Sequence, residues 1–182
     1  MDDIYLEKVC SGDNEAFRYF LKKYKDMAFS VAMSVIKDEF IAQEVVQDAF
    51  VKAFGALKSF NRESKFSTWF YRIVVNEALT RLKKLKKEII SFNADYEADI
   101  PDESFLASLK DEEQTYLINE ALKKLIPNES LALRLFYLQE ESIKEVCEIT
   151  GWSESNTKVT LHRARKNMFA VLSRLMKTEF NN

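Results

Sequence analysis

The chain has 182 residues, 47% apolar and 31% charged, with a net charge of −2, a composition that suits one folded domain or two small ones rather than a disordered chain. Its three glycines and two prolines are too few for the tight turns of a sandwich, a barrel or a Rossmann sheet, so the expected fold is all-α. One histidine, two cysteines far apart, and no GxxxxGK[ST], GxGxxG or GxSxG exclude a His-based zinc site, a zinc ribbon and the commonest nucleotide-binding and hydrolase signatures.

No metal, no cofactor and no catalytic residue is therefore expected, since no pair of side chains offers a nucleophile with its base. The protein is read as a non-enzyme. Cys10 and Cys147 read as small apolar side chains in a reducing cytosol. The acidic start Met1-Asp2-Asp3 and the lack of any apolar run near ~18 residues predict neither a signal peptide nor a membrane span, hence a cytoplasmic protein.

From Phe17, the series Phe17, Phe20, Leu21, Tyr24, Met27, Ala28, Val31, Ala32 and Val35 forms a helical stripe with Asp13 or Asn14 as N-cap. Asp38 caps a following helix with Ile41, Val45, Ala49, Ala53 and Leu57 near one face, and Gly55 lies near its end. A polar loop, Ser59 to Lys65, precedes a long helix predicted to be capped by Ser67, with Phe70, Ile73, Val74, Leu82 and Leu85 inside. That helix runs out in Lys83-Lys84-Leu85-Lys86-Lys87, where cations favour a helix C-terminus. Residues 91–110 are acidic, contain Pro101 and have no period, which reads as a linker. Structure is predicted to resume near Asp111, to stop at Pro127, and to restart in a short helix capped by Asn128.

Ser142-Ile-Lys-Glu145 is a capping box. The helix it opens stops at Thr150-Gly151, and Ser153 caps the next one, which is the helix-turn-helix arrangement. In the second helix Thr157, Leu161, Ala164 and Met168 point inward, while Ser155, Lys158, Val159, His162, Arg163 and Lys166 share the outer side. Lys and Arg for phosphates and guanine edges, with a small apolar group for a thymine methyl, are what a helix in a major groove requires.

Charge along the chain is uneven. Residues 62–88 carry eight basic and three acidic side chains, 89–120 one lysine and nine acidic residues, and 156–182 six basic and one acidic. Two basic segments divided by an acidic one imply two contacts with a polyanion. The first interleaves Phe60, Phe66, Trp69, Phe70 and Tyr71 with Arg62, Lys65, Arg72, Arg81 and the lysine run that includes Lys83 and Lys84. Rings that stack on unpaired bases and cations that follow phosphates hold single-stranded nucleic acid. Asn61, Ser64 and Asn76 supply polar edges for a base lifted from its stack. Phe70 and Trp69 read as core, so Phe60 and the loop to Lys65 are the stronger functional candidates. These residues leave open an autonomous helix-turn-helix regulator or a helical interaction protein. The aromatic-basic stretch counts against the first, and the two basic segments count against the second.

In series, residues 42–54 (AQEVVQDAFVKAF), 66–87 (FSTWFYRIVVNEALTRLKKLKK), 121–127 (ALKKLIP) and 142–168 (SIKEVCEITGWSESNTKVTLHRARKNM) resemble the extracytoplasmic-function (ECF) group of bacterial RNA polymerase sigma factors. The resemblance spans nearly the whole chain. It implies two helical domains, 1–90 for core-polymerase binding and −10 recognition with melting, and 111–182 for −35 recognition, joined by the acidic linker 91–110. It implies that Glu44, Gln47, Asp48 and Lys52 contact the β′ clamp helices of core RNA polymerase, with the β flap as a further partner. Phe60, Asn61, Arg62 and Lys65 would capture a flipped −10 base, with Arg72, Asn76, Arg81, Lys83 and Lys84 along the strand. Ser155, Lys158, Val159, His162, Arg163 and Lys166 would face the −35 duplex. An anti-sigma factor is implied as a further partner. Cys147 stands where the group usually has alanine, and Asn156-Thr157 and Val159-Thr160 replace the more usual Thr-Val and Ser-Arg.

Overall fold

The computed structural model describes residues 1–86 and 111–179, and among these every regular element is helical. The expected linker, 91–110, lies outside the described residues. The helices are α1 (Asp2–Cys10), α2 (Arg18–Ile36), α3 (Glu39–Ala56), α4 (Phe66–Lys86), α5 (Asp111–Lys124), α6 (Pro127–Leu133), α7 (Ile143–Thr150) and α8 (Glu154–Glu179). Short 3-10 turns cover Asn14–Phe17 and Leu57–Ser59, and one wide turn covers Arg134–Leu138.

Local signals set most boundaries. Asp13 accepts a hydrogen bond from the Ala16 N–H and opens the turn before α2. Lys37 ends α2 in the left-handed conformation (φ 62°), and Asp38 at once caps α3 by accepting from the Ile41 N–H at 2.9 Å. Two expected caps fall elsewhere. Helix α4 begins at Phe66, so Ser67 lies inside its first turn. Helix α6 begins with Pro127 as its first residue and has no side-chain cap, so Asn128 is not one. A proline there has no N–H to satisfy and a φ already suited to the helix.

Helix α1 was not foreseen. It is anchored by Asp2, which accepts hydrogen bonds from the Tyr19 and Tyr24 hydroxyls and from the Lys23 ammonium at 2.6–2.7 Å. Tyr5 stacks on Tyr19 with centroids 4.0 Å apart. Burial works against ionising Asp2, but the three donors outweigh it and hold its carboxyl below the usual range.

Helices α2, α3 and α4 pack pairwise around Phe20, Phe50, Phe66, Phe70 and Tyr71. Phe20 lies 4.3 Å from Phe66 and Phe50 lies 4.5 Å from Phe70, ring centre to ring centre, the tilted packing that aromatic quadrupoles favour. A second core joins Leu117 and Leu122 of α5, and Leu125 just after it, to Leu133, Leu161 and Val171. The halves are not separate bodies here. Leu131, Leu135, Val146 and Ile149 belong to the first core, so α6 packs on α2 and α7 on α4.

Phe70 is fully buried whereas Val51 is 73% exposed. Phe70→Ala is therefore expected to cost about 3–5 kcal/mol in urea unfolding, and Val51→Ala within about 0.5 kcal/mol.

Candidate nucleic-acid interface

The capping box of α7 forms as expected. The Ser142 N–H donates to a Glu145 carboxylate oxygen at 2.8 Å, and the Glu145 N–H donates to the Ser142 hydroxyl at 3.3 Å. Gly151 closes α7 in the left-handed conformation (φ 74°), and the Asn156 N–H donates to Ser153 Oγ. Between the two helices Cys147 Sγ lies 3.3 Å from Thr157 Oγ1, and Thr157 is fully buried. Leu161 and Ala164 are buried on the same side of α8. Ser155, Lys158, Val159, His162, Arg163 and Lys166 are all exposed. The helix thus offers one clear hydrogen-bonding and cationic face with a methyl-bearing Val159 in its middle. Lys158 is paired with Glu154 one turn earlier, and both are solvent-facing; a surface pair of this kind yields readily to a phosphate.

Residues away from that face hold α8 in place. Glu129, buried in α6, accepts two hydrogen bonds from the Asn167 amide at 2.8 and 3.0 Å. Nothing local in the sequence marks Glu129, because its partner is 38 residues away.

Helix α4 divides its polar residues between two directions. Arg72, Asn76, Lys83 and Lys84 are exposed, and the first three recur on one helical face with Lys65 at its start. Arg81 turns the other way and pairs with Glu44 of α3, while Glu77 pairs with Lys52. Of the four α3 residues named above, Glu44 and Lys52 are thus tied to α4, and Gln47 and Asp48 are exposed. The outer side of α3 also shows Phe40, Val51 and Phe54, at 70, 73 and 40% exposure. The sequence reading missed this apolar stripe because it lies outside the buried series Ala42, Val45, Val46, Ala49, Phe50, Ala53. Exposed apolar side chains grouped in this way mark an interaction surface.

The loop before α4 is fixed by contacts at both ends. Phe60 is half-buried against Trp69, 5.0 Å between ring centres. Asn61 Oδ1 accepts from the Glu63 N–H, and Arg62 is left-handed (φ 61°) with its guanidinium 3.4 Å from Glu7. Lys65 is exposed and reaches Glu145 at 2.8 Å. The capping glutamate of α7 therefore also holds a cation of the α4 face.

Beside this pair lies Glu141, 6% exposed, with one carboxylate oxygen that has no hydrogen-bond partner. Burial and the neighbouring Glu145 push its carboxyl up to about 7, against the attraction of Lys65. Glu145 moves the other way, to about 2, because Lys65 and Ser142 bond its charged form. Tyr71 faces Glu141 and is raised by burial and by that carboxylate. Glu141 keeps its proton in the folded chain up to about 7 and loses it near 4.5 when unfolded. It therefore costs nothing below about 4.5, and it costs progressively more as pH climbs toward 7. Glu141→Gln is expected to stabilise the chain by roughly 1–3 kcal/mol at pH 8, a gain that fades toward pH 4.5 in melts at the two pH values.

Known proteins are similar to this chain in sequence and in fold. Family models match twice, Sigma-70 region 2 over residues 20–88 and Sigma-70 region 4 over residues 116–168. The chain is 27% identical over 173 residues to the ECF RNA polymerase sigma factor SigW of Bacillus subtilis, covering 88% of this chain and 91% of the relative. It is 28% identical over 177 residues to the ECF RNA polymerase sigma-E factor of Escherichia coli K12, covering 91% of each. In fold it is similar to the sigma factor RpoE of Bartonella quintana, solved in complex with the anti-sigma factor NepR, with a TM-score of 0.66 at 22% identity over 86% of this chain and 96% of that one. CnrH, solved with the cytosolic domain of CnrY, gives a TM-score of 0.62 at 21% identity over 97% of both chains. A helix-turn-helix behind a basic, aromatic-backed helix is here the equipment of a promoter-recognition subunit of RNA polymerase. Within that class, the chain belongs to the sigma-70 family and to its ECF group.

Proposed function

We propose that the two basic faces read two promoter elements and that the outer side of α3 docks on core polymerase. Residues 1–90 form the core-binding and −10-reading domain, 111–182 the −35-reading domain, and 91–110 the connection. The observation that carries this reading is α8, where Ser155, Lys158, Val159, His162, Arg163 and Lys166 are all exposed opposite the buried Thr157, Leu161 and Ala164. That face enters the −35 major groove.

Phe60, Asn61, Arg62 and Lys65 receive an unstacked −10 base, and Arg72, Asn76, Lys83 and Lys84 follow the strand. Arg81 supports this face through Glu44 until docking on polymerase frees it. On α3, Gln47 and Asp48 with the Phe40, Val51 and Phe54 stripe meet the β′ clamp helices, and the second domain meets the β flap. The subunit breaks no covalent bond and uses no cofactor. A phosphate on Lys65 replaces Glu145, so α7 must leave α4 before both elements are read at once. An anti-sigma factor that covers the same surfaces is the further partner, as the solved complexes of the structural neighbours suggest. No described helix is long and apolar enough to cross a membrane.

Binding of the purified chain to bacterial core RNA polymerase tests the reading directly. Submicromolar association followed by promoter-specific transcription supports it, and tight duplex binding by the chain alone with no core association overturns it. In the same assay Asp48→Lys is expected to weaken core association several-fold without unfolding the chain. Arg163→Ala is expected to leave core binding intact and to cost about 1–3 kcal/mol in promoter binding by the assembled enzyme, read from titrations at fixed salt.

A further inference from the structure

Where the two halves meet, a cleft of about 230 Å³ opens between the C-terminal end of α2, α5 and α6. Lys37 and Arg134 both line it, one from each half of the chain. Both are half-buried, and neither has a carboxylate partner among the described residues. Lys37 Nζ donates to the Leu122 carbonyl at 2.6 Å. Arg134 Nε donates to Ser34 Oγ at 2.9 Å, and its Nη2 donates to the Asn119 side-chain oxygen at 3.1 Å. Each cation thus bonds only neutral oxygens, and donors on both remain uncommitted. Ser130, fully buried and also lining the cleft, has a hydroxyl with no hydrogen-bond partner.

Two desolvated cations without a counter-charge are costly, and the cost is relieved when an anion enters between them. We propose that this cleft binds a phosphate-class oxyanion, held by Lys37 and Arg134 and reached by the hydroxyl groups of the walls. The tetrahedral group offers enough acceptor sites for a guanidinium, an ammonium and serine hydroxyls together, more than a carboxylate does. The volume holds several waters, so a phosphoryl group enters with or without a small attached group. Because the walls belong to both halves, the bound anion bridges them and favours the packed arrangement.

The charges facing Lys37 support this chemistry. Burial and the nearby Arg134 lower its ammonium to about 7. Glu39 also lines the cleft, but it faces Lys123, which pairs with Glu120 at 2.7 Å. An anion in the cleft restores the proton on Lys37, so binding takes up a proton above pH 7 and weakens as pH rises.

The test uses the full chain alone and is independent of the promoter-reading assignment. Inorganic phosphate, glycerol phosphate and sulfate are titrated by calorimetry and by thermal shift, with sodium chloride at matched ionic strength as reference. Saturable binding of phosphate and sulfate beyond chloride is expected. Sulfate, which does not itself titrate here, is expected to bind on the order of tenfold more weakly at about pH 8.5 than at about pH 6. Lys37→Gln is expected to lose roughly tenfold in affinity and to abolish that pH dependence. If Arg134→Met fails to fold, the wild-type pH dependence and Lys37→Gln still decide. Tighter binding of glycerol phosphate than of phosphate identifies a phosphorylated metabolite as the source, and the reverse identifies the free ion. Shifts no greater than those of chloride, or a Lys37→Gln chain that titrates like wild type, overturn the proposal.

Discussion

The inner face of α4 is the surface on which both halves of the molecule depend. Phe70 and Val74 are completely removed from solvent, and Phe66 and Tyr71 nearly so. Phe20, Tyr24 and Phe50 cover them from the N-terminal side, while Leu131, Leu135, Val146 and Ile149 complete the same core from the C-terminal side. Apolar burial is non-directional and scales with area, so one aromatic-rich helix can serve both halves at once. The same helix carries its cations about half a turn away, where they stay in water. Packing and recognition are thus separated by helical period on a single element.

Electrostatics follows from that separation. The net excess of cations in residues 62–88 does not spread evenly around α4. Arg81 turns toward Glu44, Lys65 toward Glu145, and Arg72, Asn76 and Lys83 remain outward. The two pairs tie α4 to α3 and to α7, while Arg72, Asn76 and Lys83 have no such tie. In this sigma factor of the ECF group, such division leaves Arg72 and Lys83 as exposed cations on one face of α4. The buried Glu141 shows the other side of the packing. Enclosing its carboxyl beside Glu145 carries an electrostatic cost as pH rises toward about 7, which apolar contact and the Lys65–Glu145 pair across the seam offset.

The helix-turn-helix was legible in full because its signals are local. A serine three residues before a glutamate, a glycine at the turn and a second serine cap act within one or two turns. The inward and outward residues of α8 follow from helical period alone: the six outer residues are exposed, Thr157, Leu161 and Ala164 are buried, and Met168, expected with them, is only half-buried. The α3 surface was only half legible. Its polar residues came through resemblance, but Phe40 and Val51 were hidden among the many apolar residues of that helix, and exposure cannot be told from composition. Helix α1 was missed because its anchor is Asp2 meeting Tyr19, Lys23 and Tyr24, a contact made only after α2 exists.

By itself the sequence determined helix content, the capped helix-turn-helix, the basic face of each half and the family to which the chain belongs. These depend on residue type and on spacings of three or four, which the backbone converts directly into one face of a helix. Only the tertiary structure decided that Arg81 faces inward, that Glu145 holds Lys65 as well as its own helix, and that Glu141 is enclosed. It also decided that Lys37 and Arg134 face a common cleft. Each of these is a meeting of residues far apart in the chain. Such meetings are selected by how whole apolar faces fit together, and no local spacing encodes that fit.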